Sequence, residues 1–293
     1  MITTLQIVKR NMINYFYDKT TMFFSFLSVF ILILIYVLFL GQMQINEIER
    51  HIGDVSGISG VVTSWLVAGL VITSSVTVPL ATMSDMIADI ENKTFNDFYV
   101  APIKRFQIVL AYVISSIIIG VMMAVVTLLL GFFYLGITSG TWLSLMSLVY
   151  MILIIIVSST LFSSLSYVLL SFVKTASAAG TLNTLVGTLI GFFAGIYVPF
   201  GAFSERFQNI LKLNPAAQVV SLARKVMTEP YTAEVFQGAP ENFVIAYKEN
   251  YGITFSLFGQ TINDIWIFLF MFAWITIMLL IGLARIKAFK MYK

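Results

Sequence analysis

The feature that most constrains this chain is a series of long runs without charge. Met22 to Gly41 is a stretch of 20 residues carrying no charged side chain. Comparable runs extend from about Ile58 to Thr82, Phe106 to Tyr134, Trp142 to Phe172 and Ser177 to Val198, and a last apolar run from about Ile262 to Ala284 carries a single charge, Asp264, near its start. A helix needs about 20 apolar residues to cross the hydrocarbon core of a bilayer. Composition agrees: 59% of the residues are hydrophobic and 11% charged, whereas a soluble domain is about one quarter charged. The expected fold is an all-α membrane protein with six transmembrane helices, built as a single domain over residues 1–293.

Charge sets the orientation. Six alternating spans put Lys9, Arg10, Lys19, Lys93, Lys104, Arg105, Lys174, Arg285, Lys287, Lys290 and Lys293 on one side, which is 11 of the 17 basic residues. Five of the other six lie in the long segment before the last span, which weighs little in the positive-inside rule. Both termini are therefore expected in the cytoplasm of a bacterial cell, with the spans in its plasma membrane. The net charge of +3 follows from this topology and does not suggest a nucleic-acid partner.

Several chemistries are excluded by what the chain lacks. It has no cysteine and one histidine, His51, which sits among charges and is read as solvated. No Gly-x-x-x-x-Gly-Lys-Ser/Thr phosphate loop occurs, so no ATP cradle of that kind is built here. No ionisable residue falls near the middle of a span, where proton- and sodium-coupled transporters place theirs. No catalytic residues, resident cofactor or metal are expected.

The segments between the runs are more specific. Ile2, Leu5, Val8, Met12 and Phe16 recur at helical spacing, which predicts an interfacial helix over residues 2–19 against membrane lipid. Between spans two and three, residues 84–101 form a polar island. Met83, Ile87, Ile90, Thr94 and Phe98 draw one apolar stripe through it, and Pro102 ends the segment. Span four is rich in serine, read first as close helix packing and second as a polar lining. Gly187, Gly191 and Gly195, four apart, form a possible packing or dimer stripe. Phe192, Phe193, Tyr197 and Phe200 are possible pathway aromatics, with an interfacial belt as the plainer reading. In residues 199–261, Ser204 and Asn214-Pro215 predict the starts of two helices too short to span, a re-entrant or interfacial hairpin. Residues 228–259 read as an added outer piece broken by Pro230, Gly238 and Pro240.

Two of these segments resemble one family. Glu91-Asn-Lys-Thr94, Phe98 and Ala101-Pro102 are similar to the Glu-x-Gly-Thr…Leu…x-Pro segment of ABC-2 type transporter permeases, with Lys93 standing where the family carries Gly. Pro199…Phe207-Gln-x-Ile210…Leu213-Asn-Pro215…Arg224 resembles that family's Pro…Trp-x-x-x…Leu-Asn-Pro…Arg pattern before its last span. The resemblance implies an N-terminal elbow helix over 2–19 and a cytoplasmic coupling helix over 84–101. It also implies an ATP-binding cassette subunit as partner, holding ATP and Mg, and a second permease subunit, either a copy or a related chain. Glu91, Thr94, Phe98 and Pro102 are then expected to carry the coupling contact. The function implied is export of a drug, peptide, lipid or glycan. The alternatives are a secondary transporter or channel not driven by ATP, and a membrane enzyme or sensor.

Overall fold

The computed structural model describes residues 2–36, 40–94, 103–140, 142–257 and 260–288. The fold is helical and organised around one long helix. In chain order the helices are α1 (Ile2–Tyr17), α2 (Lys19–Ile35), α3 (Gly41–Ile52), α4 (Ile58–Glu91), α5 (Arg105–Ser139), α6 (Leu145–Leu170) and α7 (Ala176–Phe193). After a 3-10 turn at Phe200–Ala202 come α8 (Glu205–Lys212), α9 (Pro215–Val235) and α10 (Glu241–Asn250). A two-residue hairpin then pairs β1 (Ser256–Leu257) with β2 (Gln260–Thr261), and α11 (Asp264–Ala288) closes the chain.

Five of these helices, α4, α5, α6, α7 and α11, are long and apolar enough to cross a membrane. The run expected as the first span appears as α2, whose described helix has 17 residues. α4 is the axis. In its most apolar window 89% of the residues are buried, against 50% in α5, 39% in α6, 28% in α11 and 17% in α7. It packs against α2, α3, α5, α6, α7 and α9. A helix apolar all round belongs in a core or in lipid; here α4 takes the core and the other four leave more of their apolar surface exposed.

Two expectations are revised. The coupling helix does not begin as a separate element at Ser84, because α4 runs unbroken through Pro79 to Glu91. Residues 84–91 are thus its last turns, followed by a turn to Thr94, and residues 95–102 lie outside the described residues. Proline in a membrane helix removes one backbone bond, which neighbouring helices can compensate. Here Gly120 of α5 lets the Pro79 ring sit where a Cβ would lie 2.6 Å from its Cγ.

The second revision concerns the segment before the last span. Its first helix, α8, is short as expected, but the second, α9, runs 21 residues straight through Pro230. It packs on α4, α6 and α11. The added piece expected at 228–259 therefore begins inside α9 and folds back as α10.

The stripe of α1 divides between two surfaces: Leu5 and Phe16 are exposed, Leu5 at 62%, while Val8 is buried together with Thr4, Ile7, Asn11 and Tyr15. The protein-facing side is rotated from the apolar stripe because it includes the polar pair Asn11 Nδ2 to Ser115 Oγ, 3.1 Å.

The serines of α6 follow the packing reading. Ser158, Ser159, Ser163, Ser164 and Ser166 are buried, and Ser158 Oγ lies 2.5 Å from Ser75 Oγ of α4.

Candidate coupling site

At the α1 end of the bundle, polar side chains tie neighbouring helices together in three groups. Asp89 on the last turns of α4 receives two parallel hydrogen bonds from the Arg10 guanidinium, at 2.8 and 3.2 Å. The Tyr112 hydroxyl of α5 also donates to Asp89. Such fork-shaped pairing fixes orientation as well as charge. The hydrogen bond to Asp89 is the main reason the Arg10 pKa is raised above its ordinary value. Ser84 and Asn183 join α4 to α7 through a 3.1 Å bond from Nδ2 to Oγ. On α11, Arg285 donates to the Ser171 carbonyl at 3.0 Å and stacks 4.2 Å from the Phe172 ring.

The segment singled out by sequence grows directly from the Asp89 group. Glu91 is exposed, and its carboxylate accepts a hydrogen bond from the backbone N–H of Ala176 at 2.6 Å. Lys93 has φ of 60°, and among the described residues it is the one non-glycine with positive φ. Glycine adopts that left-handed geometry without strain. This gives the family's glycine at the same position a physical reason, and makes Lys93 a strained substitute. Thr94 closes the turn, its N–H reaching the Asp89 carbonyl at 3.0 Å. Phe98 and Pro102 lie outside the described residues.

The other expected residues do not form one site. Gly187 has open space around it, Gly191 is covered by the Tyr197 ring, and Gly195 lies beyond the end of α7 with φ of 61°. The stripe thus resolves into three different environments, and among the described residues the nearest atoms to Gly191 and Gly195 are side-chain ring atoms. Phe192 is partly exposed and meets Tyr197 edge-on at 5.1 Å; Phe200 is fully buried against Phe255, with Phe193 packed beside them. An apolar cleft of about 230 Å³ lies elsewhere, lined by Ile33, Tyr36, Leu66 and Leu70 with Leu130 and Tyr134 of α5.

Sequence reasoning gave no role to the most heavily buried cation among the described residues. Arg224 on α9 is 0% exposed. Its guanidinium lies 4.0 Å from the Trp65 ring of α4 and donates to the carbonyls of Tyr251 at 3.0 Å and Gly195 at 3.1 Å. Trp65 Nε1 donates to the same Tyr251 carbonyl at 2.6 Å. Tyr36 stacks on Trp65, and Gln44 of α3 links the Tyr36 and Tyr247 hydroxyls. Among the described residues no carboxylate pairs with Arg224. Burial pulls its pKa down to about 9, which leaves it charged at neutral pH. It ties α4, α7 and the chain after α10 into one cap. The Asn-Pro…Arg spacing marked the residue, but nothing local distinguishes it from the exposed Lys225 beside it.

Five helices long and apolar enough to cross a membrane, among the described residues, are the architecture of a multi-pass membrane protein. The family model for the ABC-2 type transporter matches residues 3–228, and the chain belongs to that family. No curated protein and no solved structure matches it.

Proposed function

We propose that this chain is the permease subunit of an ATP-driven exporter, worked by a separate ATP-binding subunit that docks at the α1 end. The observation that carries the reading is the continuity of α4. The helix at the centre of the core ends in the very segment that resembles the coupling motif, so a push on that segment acts on the axis of the bundle. Arg10, Asp89 and Tyr112 lock α1, α4 and α5 there, which suits parts that move as one body. The proposed topology has six spans, α2 supplying the first, with both termini in the cytoplasm of a bacterial cell. Two such subunits, identical or related, would enclose one pathway. Energy would come from ATP and Mg on the partner. The substrate is an exported drug, peptide, lipid or glycan.

In this reading Thr94, Phe98 and Pro102 carry the docking surface, with the Phe98 ring in an apolar groove of the motor. Truncating an aromatic anchor at such an interface often costs more than about 2 kcal/mol. Phe98→Ala is therefore expected to leave the permease in the membrane at normal abundance and to weaken co-purification of the ATP-binding subunit about thirtyfold. The same change at Asn46, on α3 at the opposite end, is expected to do nothing. Unchanged capture of the motor by the Phe98 variant would contradict the docking surface.

A further inference from the structure

Glu91 belongs to the segment expected to touch the motor, yet its carboxylate is engaged within the chain. Oε2 accepts from the N–H of Ala176 at 2.6 Å, at the first residue of α7. The first four N–H groups of a helix have no partner in the helix itself. Thr175 Oγ1 serves the N–H of Ala178 at 3.2 Å and Glu91 serves that of Ala176, so α7 takes one of its caps from its own chain neighbour and one from the end of α4. A carboxylate there is also favoured by the positive end of the helix dipole.

The helix so held has the smallest buried share of the five candidate spans, 17% of its apolar window. Where packing is sparse, individual polar ties carry a larger share of the mechanical connection. Two such ties run from the last turns of α4 to α7: Glu91 to Ala176 and Ser84 to Asn183.

We propose that Glu91 is a positioning residue, a strut that carries displacement of the α4 end into the N-terminus of α7, and that it is not part of the docking surface. The proposal rests on the coupling reading above. It makes α7 the helix that moves when the motor closes, and it separates two losses that the coupling motif would otherwise combine: losing the motor and losing the transmission.

The test uses the permease with its ATP-binding subunit bound, and a readout that needs no substrate. Nitroxide labels on cysteines replacing Leu185 of α7 and Leu130 of α5, both exposed, report their separation by pulsed electron spin resonance. With Glu91 in place, the separation is expected to change between the nucleotide-free state and ATP with vanadate. In Glu91→Ala the motor is expected to remain bound and to hydrolyse ATP. The fraction of molecules showing the changed separation falls about tenfold, as expected for loss of one charge-assisted hydrogen bond. A second variant covers the case in which Glu91→Ala does not accumulate. Cysteines at Glu91 and Ala176, joined by a short cross-link, are expected to restore an ATP-dependent change in the fluorescence of a dye on Leu185, and cleaving the link removes it. Loss of motor binding in Glu91→Ala would assign the residue to docking and overturn the strut. So would an unchanged label shift in that variant, or a cross-linked pair that behaves identically before and after cleavage. Loss of motor binding by Phe98→Ala alone leaves the strut standing, so the two readings fail separately.

Discussion

Arg224→Ala is expected to cost about 3 kcal/mol or more of stability, because it removes a desolvated cation–π contact and two hydrogen bonds to carbonyls. The Tyr251 carbonyl keeps Trp65 Nε1 as a donor, but the Gly195 carbonyl loses the guanidinium that reaches it. The guanidinium also fills the space between Trp65, Gly195 and the chain after α10, so truncation opens a hole at the junction of three elements. Desolvation of the charge offsets part of this loss in the native protein, which is why the figure stays below the sum of the contacts. Arg224→Lys is expected to recover little, since an ammonium has neither the planar fork nor the stacking face. The measurement is thermal unfolding of the purified protein in detergent. For a chain of this size about 3 kcal/mol corresponds to a fall of roughly 6 °C or more in Tm. A Tm within about 2 °C of the parent would show that the cap does not depend on the buried cation.

Gly120→Val is expected to separate α5 from α4. The added Cβ would lie 2.6 Å from Cγ and 3.1 Å from Cδ of Pro79, and a proline ring cannot rotate away. Ser159 Oγ, 3.5 Å from the same point, narrows the space from α6. Overpacking of this kind costs about 1 to 3 kcal/mol, and more where the neighbour is rigid. The diagnostic is a double variant. Pro79→Ala removes the ring atoms in conflict, so Gly120→Ala is expected to be much better tolerated beside Pro79→Ala than alone, a coupling of roughly 1 kcal/mol or more in the cycle. Additive losses in the fluorescence-detected melting of the four proteins would show that the close approach is incidental.

These two sites also show what the amino-acid sequence could and could not convey. The spans were legible because apolar runs of membrane length with almost no charge leave few alternatives, and the helices at α4, α5, α6, α7 and α11 fall where those runs lie. The boundary between span two and the coupling segment was not legible. Pro79 and the polar residues after it read as an exit from the bilayer, whereas Gly120 and the surrounding helices let α4 continue to Glu91. The protein-facing side of α1 was not legible for a related reason. Periodicity scores apolar residues, and the side that packs carries Thr4 and Asn11, the latter bonded to Ser115, 104 residues away.

The candidate site was legible in part. The resemblance located Glu91 and Thr94 at one end of the bundle, but the partners of the neighbouring Asp89 come from α1 and α5, and no local pattern announces them. Glycine spacing conveyed little about this chain's own packing. Gly187, Gly191 and Gly195 share a period in sequence, yet Gly195 serves a left-handed turn and Gly191 accommodates an aromatic ring. Arg224 lay hidden because its burial is produced by Trp65 and Tyr251, both remote in sequence.

The central claim is that the α1 end faces the cytoplasm and receives the motor, and a single cysteine tests both halves. The chain contains no cysteine, so Asn92→Cys, beside Glu91 in the turn that follows α4, gives no background. The account predicts that a membrane-impermeant thiol reagent leaves this position unlabelled in intact cells and labels it in inside-out vesicles. Adding the ATP-binding subunit to those vesicles is expected to protect it. Labelling from outside intact cells, or equal labelling of inverted vesicles with and without the bound motor, would contradict it.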